Sequence, residues 1–127
     1  MLLGGLEEMP KEILVVDDQP GIRLLLTDIL TSEGHRVTLA STGKEALDKI
    51  HQASFDLIIL DYKLPIIDGS EVLNQLENEE IKTPVIVMSG MAESIIGEME
   101  TRRIVRYTIA KPFNVMDLCA NVREIIM

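Results

Sequence analysis

The sequence predicts an α/β domain in which a parallel β-sheet is covered by helices on both faces. Three observations predict it. Leu57-Ile58-Ile59-Leu60 and Val85-Ile86-Val87-Met88 are continuous apolar runs, the pattern of strands buried on both sides. Each run ends at a polar residue, Asp61 or Ser89, as expected where a strand leaves the apolar layers. Along the chain, short strand-like runs alternate with stretches of 3.6-residue periodicity and short loops, which demands right-handed crossovers.

In order, residues 1–10 read as a leader, with Gly4-Gly5 and weak patterning, and the domain is expected over 11–127. Glu12 to Val16 is the first strand, ending in Asp17-Asp18. Gln19-Pro20-Gly21 follows, with proline suited to a first helical turn. The first helix is predicted over Ile22 to Glu33, with Ile22, Leu25, Leu26, Ile29 and Leu30 inward, Leu24 outward, and Gly34 closing it. Arg36 to Ala40 is the second strand; Lys44 to Ala53 is the second helix, with Ala46, Leu47 and Ile50 inward. Leu57 to Asp61 is the third strand, followed by a Pro65 and Asp68-Gly69 turn and a helix over Ser70 to Asn78 with Val72, Leu73 and Leu76 inward.

Pro84 to Ser89 is the fourth strand. Ala92 to Arg103 reads as a poorly patterned helix weakened by Gly97. Arg106 to Ala110 is the fifth strand, ending at Lys111-Pro112. Asn114 caps a last helix to about Ile126, with Val115, Leu118, Cys119, Val122 and Ile125 on one side.

With 127 residues the chain is one domain by length. A net charge of -9 argues against nonspecific nucleic-acid binding and against attraction to anionic membrane. The single cysteine, Cys119, allows no internal disulfide and fits a reducing, cytoplasmic setting, with Cys119 as a small core residue. No apolar run approaches a membrane span. His35 and His51 are expected at the surface, away from any active edge.

In a parallel sheet the strand C-termini emerge at one edge, where ligands bind. That edge collects Asp17, Asp18, Asp61, Ser89 and Lys111. Three converging carboxylates repel one another, and a hard dication relieves the repulsion. Mg²⁺ suits a few carboxylate oxygens completed by water and phosphate oxygens. A carboxylate such as Asp61 can then accept a phosphoryl group, while Lys111 neutralises developing charge and Ser89 bonds a product oxygen. Singly, each residue has an ordinary explanation: Asp17 or Asp18 as a helix N-cap, Asp61 as a solvated strand end, Ser89 as a turn residue, Lys111 as a charge partner. Their joint position favours the phosphoacceptor reading.

These residues, with Leu64-Pro65, Asp68-Gly69 and Lys111-Pro112-Phe113 in the same order, resemble the receiver domain of two-component response regulators from Glu12 onward. The resemblance implies a flavodoxin/CheY-like doubly wound sheet of strand order 2-1-3-4-5. It implies Asp61 as phosphorylation site, Asp18 as direct Mg²⁺ ligand, Asp17 acting mainly through water, and the Lys63 carbonyl as a further ligand. It also implies a cis Lys111-Pro112 bond and Ser89 as switching hydroxyl. The donor would be a sensor histidine kinase or a histidine phosphotransfer protein, and the signal would pass to a downstream protein target.

Asp17-Asp18-Gln19 with Gly21-Ile22-Arg23 and Lys63, and no output domain, is similar to the single-domain intermediates of sporulation phosphorelays. By that likeness Gln19, Gly21, Ile22, Leu25, Pro112 and Phe113 would line the partner surface, although packing already explains Ile22 and Leu25. Family receivers also pair through the fourth helix, fifth strand and fifth helix, so a homodimer through that face is an expectation.

The chain departs from the family in places. Thr108 stands where the family carries an aromatic switch residue, and alternation points Tyr107 to the opposite face. Ile104-Val105 replaces a Gly-Ala pair. Gly90 leaves open space, and Met91 brings no polar group to position water, which predicts slow loss of the phosphoryl group. A haloacid-dehalogenase-type phosphatase would need a second Asp where Lys63 stands. A dinucleotide-binding module would need a glycine-rich loop where Asp17-Asp18 places negative charge. A receiver-like interaction module that takes no phosphate stays open.

Overall fold

The structure is a computed structural model and describes residues 10–126. The leader expected over 1–10 lies outside the described residues apart from Pro10. Strands β1 (Glu12–Val16), β2 (Arg36–Ala40), β3 (Leu57–Asp61), β4 (Val85–Ser89) and β5 (Val105–Ala110) alternate with helices α1 (Pro20–Ser32), α2 (Gly43–Gln52), α3 (Gly69–Asn78), α4 (Ala92–Glu100) and α5 (Val115–Ile126). The strands form one parallel sheet in the order β2-β1-β3-β4-β5, the doubly wound order expected.

Burial explains why the central strands read as unbroken apolar runs. Every residue of β3 and β4 is buried, as are Ile13 to Val16 of β1, whereas edge strands β2 and β5 are mixed. Alternation divides the core into two layers. Leu14, Val16, Ile58, Leu60, Val85 and Val87 face Ala46 of α2, Val72, Leu73 and Leu76 of α3, and Ile95 and Met99 of α4. Ile13, Val15, Leu57, Ile59, Ile86 and Met88 face Leu26 and Leu30 of α1 and Leu118, Val122 and Ile126 of α5.

Several boundaries differ from the sequence reading. Helix α1 starts two residues earlier, at Pro20, because proline fits N1 and the preceding Gln19 is the extended N-cap. Neither Asp17 nor Asp18 is that cap; the Asp17 carboxylate instead accepts the Gln19 N–H at 2.9 Å. Leu25 is 41% exposed and does not join the core, which takes Leu26 and Leu30. One apolar stripe of α1 is thus narrower than the five residues the periodicity offers. Helix α4 stops at Glu100, not Arg103, and Thr101 caps it. In α5, Val115 is exposed and Ile126 is buried, so the buried stripe begins one turn later, at Leu118. His35 is half-buried, not a plain surface residue. Cys119 is buried as expected.

Caps follow ordinary chemistry. Thr42 accepts the Glu45 N–H at α2, Asp68 the Glu71 N–H at α3, and Asn114 the Asp117 N–H at α5. Gly34 ends α1 at φ +93°, a left-handed C′ position that favours glycine. Between β4 and β5 the register slips by one at Arg106: Val85 pairs Val105, but Ile86 pairs Tyr107. That bulge sends Tyr107 to the α1/α5 layer, where it packs and its hydroxyl donates to Glu124 of α5.

Candidate functional site: an acidic pocket at the strand ends

The parallel register brings β1, β3, β4 and β5 to a common C-terminal edge, so their last residues must meet. Asp17, Asp18 and Asp61 each offer a carboxylate oxygen, and the three oxygens lie within 4.8 Å of one another. Asp17 and Asp61 are buried and Asp18 is exposed. The Lys111 ammonium donates to Asp17 Oδ2 at 2.8 Å and lies 3.3 Å from Asp61 Oδ2. Its third neighbour is Gln19 Oε1 at 3.4 Å.

The electrostatics follow from burial and like charge. Burial, then the Asp17 charge, pushes the Asp61 carboxyl above the ordinary carboxylate range, against the pull of Lys111 and of the Lys63 N–H that bonds it. Burial alone would lower the Lys111 pKa; the hydrogen bond and charge of Asp17, then Asp61, outweigh it and the net shift is upward. The ammonium therefore stays charged at neutral pH.

Ser89, at the end of β4, is 4% exposed; its Oγ accepts the Met91 N–H at 2.9 Å and its carbonyl accepts the Lys111 N–H at 2.9 Å. The Lys111-Pro112 bond is cis, as the resemblance implied. A Cβ at Gly90 would meet no atom within 4 Å, so the space beside Ser89 is open as expected. Thr108 lines a cleft of about 240 Å³ with Ile96 and Met99 of α4. Among the surface candidates, Gln19, Gly21, Leu25 and Pro112 are exposed, while Ile22 and Phe113 are half-buried on the α1/α5 layer.

The donor set is hard oxygen from three carboxylates, two of them buried, which fits a small divalent cation such as Mg²⁺. Among the described residues Lys111 is the cation paired with these carboxylates, and its one charge does not balance three clustered negative charges.

Residues 13–123 match the response regulator receiver domain family. The chain belongs to that family. It is 33% identical to sporulation initiation phosphotransferase F of Bacillus subtilis (strain 168), with 91% of this chain and 94% of that protein aligned. It is 36% identical to the alkaline phosphatase synthesis transcriptional regulatory protein PhoP of the same organism, covering 93% of this chain but about half (49%) of that protein. Among solved structures, the response regulator TrrA from Thermotoga maritima, crystallised in complex with Mg²⁺-BeF, superposes with a TM-score of 0.81 at 32% identity, covering 91% of this chain and 98% of that one. This receiver therefore carries the acidic aspartate cluster typical of the family's phosphorylation site. No helix among the described residues is long and apolar enough to cross a membrane.

Two contacts at this receiver's site carried no role in the sequence reading. Arg23 Nη1 donates to the Asp17 carbonyl at 2.7 Å, and the Tyr62 hydroxyl donates to Glu98 of α4 at 3.1 Å. A cation one turn into the helix after an acidic strand end was a signal for the first. Alternation, which puts Tyr62 on the face of Ile58 and Leu60, was a signal for the second.

Proposed function

We propose that this receiver takes a phosphoryl group from a phosphohistidine onto Asp61 in a Mg²⁺-dependent reaction, then signals by conformational switch or onward phosphotransfer. The observation that carries the reading is the packing of three carboxylates within 4.8 Å, with the Lys111 ammonium 3.3 Å from Asp61. Asp18, Asp17 and Asp61, with the Lys63 carbonyl, would hold the Mg²⁺. When bound, the cation supplies neutralising charge to the phosphoryl oxygens.

Asp61 attacks phosphorus, a P–O bond forms, and the P–N bond breaks with its electron pair staying on the imidazole nitrogen, which takes a proton from solvent. Lys111 pairs with a phosphoryl oxygen and so must exchange part of its hold on Asp17. Ser89 gives up its bond from Met91 N–H to turn its hydroxyl toward the product. Thr108, lacking an aromatic ring, leaves the β5 part of the switch to a smaller side chain. The receiver catalyses only its own phosphorylation and dephosphorylation, and works in the cytoplasm.

The partner is a sensor histidine kinase or histidine phosphotransfer protein meeting Gln19, Gly21, Ile22, Leu25, Pro112 and Phe113. Leu25, exposed contrary to its periodicity, is better suited to that surface than the sequence suggested. The near end-to-end match with a sporulation phosphotransferase supports the relay role. A downstream protein, and a second copy through the α4-β5-α5 face, are further partners; direct nucleic-acid contact is not expected.

Intact mass after incubation with Mg²⁺ and a small phosphodonor tests the reading. Wild-type protein should gain one phosphoryl adduct, labile to hydroxylamine, and Asp61→Asn should gain none. No adduct on the wild type, with no uptake of beryllofluoride, would leave a receiver fold used for protein interaction alone.

A further inference from the structure

We propose that Arg23 is a positioning residue for the acidic pocket, fixing the peptide plane between Asp17 and Asp18 and thereby aiming the Asp18 carboxylate. The inference rests on the reading that Asp17, Asp18 and Asp61 hold a divalent cation.

The three carboxylates are not equally anchored. Asp17 is held by its N–H to the Ala40 carbonyl at 3.1 Å, and its carboxylate accepts from Gln19 at 2.9 Å and Lys111 at 2.8 Å. Asp61 ends a fully buried strand and accepts the Lys63 N–H. Asp18 is exposed, and among the described residues the bonds that shape its loop end on Asp17 and Gln19 rather than on its carboxylate. Its aim must come from the backbone that carries it.

Arg23 controls that backbone. Its Nη1 donates to the Asp17 carbonyl oxygen at 2.7 Å. That carbonyl and the Asp18 N–H belong to one planar unit, so holding the oxygen fixes the rotation of the plane entering the Asp18 Cα. The bond is charge-assisted and short, the stronger class of hydrogen bond. Arg23 itself stands on a firm base: its N–H donates to the Gln19 carbonyl at 3.1 Å, and its carbonyl accepts Thr27 Oγ1 at 2.7 Å. The bond thus closes a ring from the end of β1, through the acidic loop, to the first turn of α1 and back.

A guanidinium beside a cation site has two opposite effects. As charge alone it repels the cation, so its removal would tighten binding. As a positioning group it holds a ligand in place, so its removal would weaken binding. The sign of the change separates the two.

The test is calorimetric titration of Mg²⁺ into wild type, Arg23→Met, Arg23→Lys, Asp18→Asn and the Arg23→Met/Asp18→Asn double variant. Arg23→Met should weaken Mg²⁺ binding about tenfold. Arg23→Lys keeps the charge and loses the fork, and should fall between the two. In the Asp18→Asn background the Arg23 effect should shrink below about twofold, since the carboxylate being aimed is gone. Unchanged or tighter binding in Arg23→Met, or an equal loss in both backgrounds, would overturn the proposal while leaving the site reading intact. Should Arg23→Met not fold, Arg23→Lys decides by itself, because a loss at constant charge reports geometry. Wild-type protein that takes up no Mg²⁺ at millimolar concentration overturns both.

Discussion

At the pocket, Asp61 is a cost to the fold as well as a chemical group. It is 5% exposed, and burial followed by the Asp17 charge raises its pKa. A carboxyl with a raised native pKa holds its proton more tightly folded than unfolded, so its contribution to stability falls as pH rises through the carboxylate range. In EDTA at pH 7, Asp61→Asn should therefore raise the unfolding free energy by about 1 kcal/mol, or about 4 °C in Tm. The gain should disappear below about pH 3, where the carboxyl is protonated in both folded and unfolded states. Melting curves at the two pH values check it, and a variant no more stable than wild type at pH 7 would show that Lys111 already balances the pocket. Met91, 59% exposed beside Ser89, offers no group to hold an attacking water. On the proposed chemistry, Met91→Glu should speed decay of the phosphorylated protein about tenfold or more; an unchanged lifetime would remove Met91 from the account. Ile66 is a different departure: it sits at φ +66° and 99% exposed in the β3–α3 loop, a left-handed position that a β-branched side chain occupies at a cost.

Among the elements, α4 is the one held by side chains rather than by a broad apolar stripe. Only Ile95 and Met99 of its nine residues are buried. In compensation, the Tyr62 hydroxyl donates to Glu98 at 3.1 Å, and Arg102 bonds Glu77 of α3 at 2.8 Å and Glu98 at 3.4 Å. Tyr62 directly follows Asp61, so this tether joins α4 to the residue beside the acceptor. Tyr62→Phe removes one hydrogen bond of about 1 kcal/mol. Amide exchange in α4 should then quicken about fivefold, with global stability nearly unchanged. Equal quickening in α4 and in β3 would mean global destabilisation, not release of one helix. By contrast the β3–α3 loop is fixed by backbone contact: a Cβ on Gly69 would lie 2.7 Å from the Asp61 carbonyl oxygen, and one on Gly43 would lie 2.2 Å from that of Ile67. Side chains at these two positions would displace the loop that follows the acceptor.

Across the whole molecule, the sheet is a partition between two apolar layers that share strands but not side chains. Val72 of α3 belongs to one layer and Val122 of α5 to the other, both buried. Val72→Ala and Val122→Ala should each cost about 2 kcal/mol. The double variant should lose the sum within about 0.5 kcal/mol, because the sheet separates the sites. Denaturant melts of the four proteins measure this, and strong non-additivity would mean that the sheet transmits repacking from face to face.

The sequence by itself determined the strand and helix alternation, the buried centre of the sheet, and the residues at its C-terminal edge. These are local properties: apolar runs in Leu57–Leu60 and Val85–Met88 need no partner to be read, and strand direction follows from the crossovers. Tertiary structure decided what depends on neighbours. Leu25 has the periodicity of a core residue, yet it is exposed, and α1 packs on the sheet through buried Leu26 and Leu30 with Ile22 partly buried beside them. Alternation already turned Tyr107 away from Thr108, but the bulge at Arg106, which puts Val105 and Tyr107 on opposite faces, leaves no trace in strand propensity. The bond from Tyr62 to Glu98 joins groups whose meeting depends on helix docking rather than on spacing along the chain. That from Arg23 to the Asp17 carbonyl has a signal in the spacing but takes its geometry from how α1 leaves the acidic loop. The acidic edge could be read from periodicity because strand direction alone assembles it; its fine geometry could not, because long side chains find their partners only after the layers have packed.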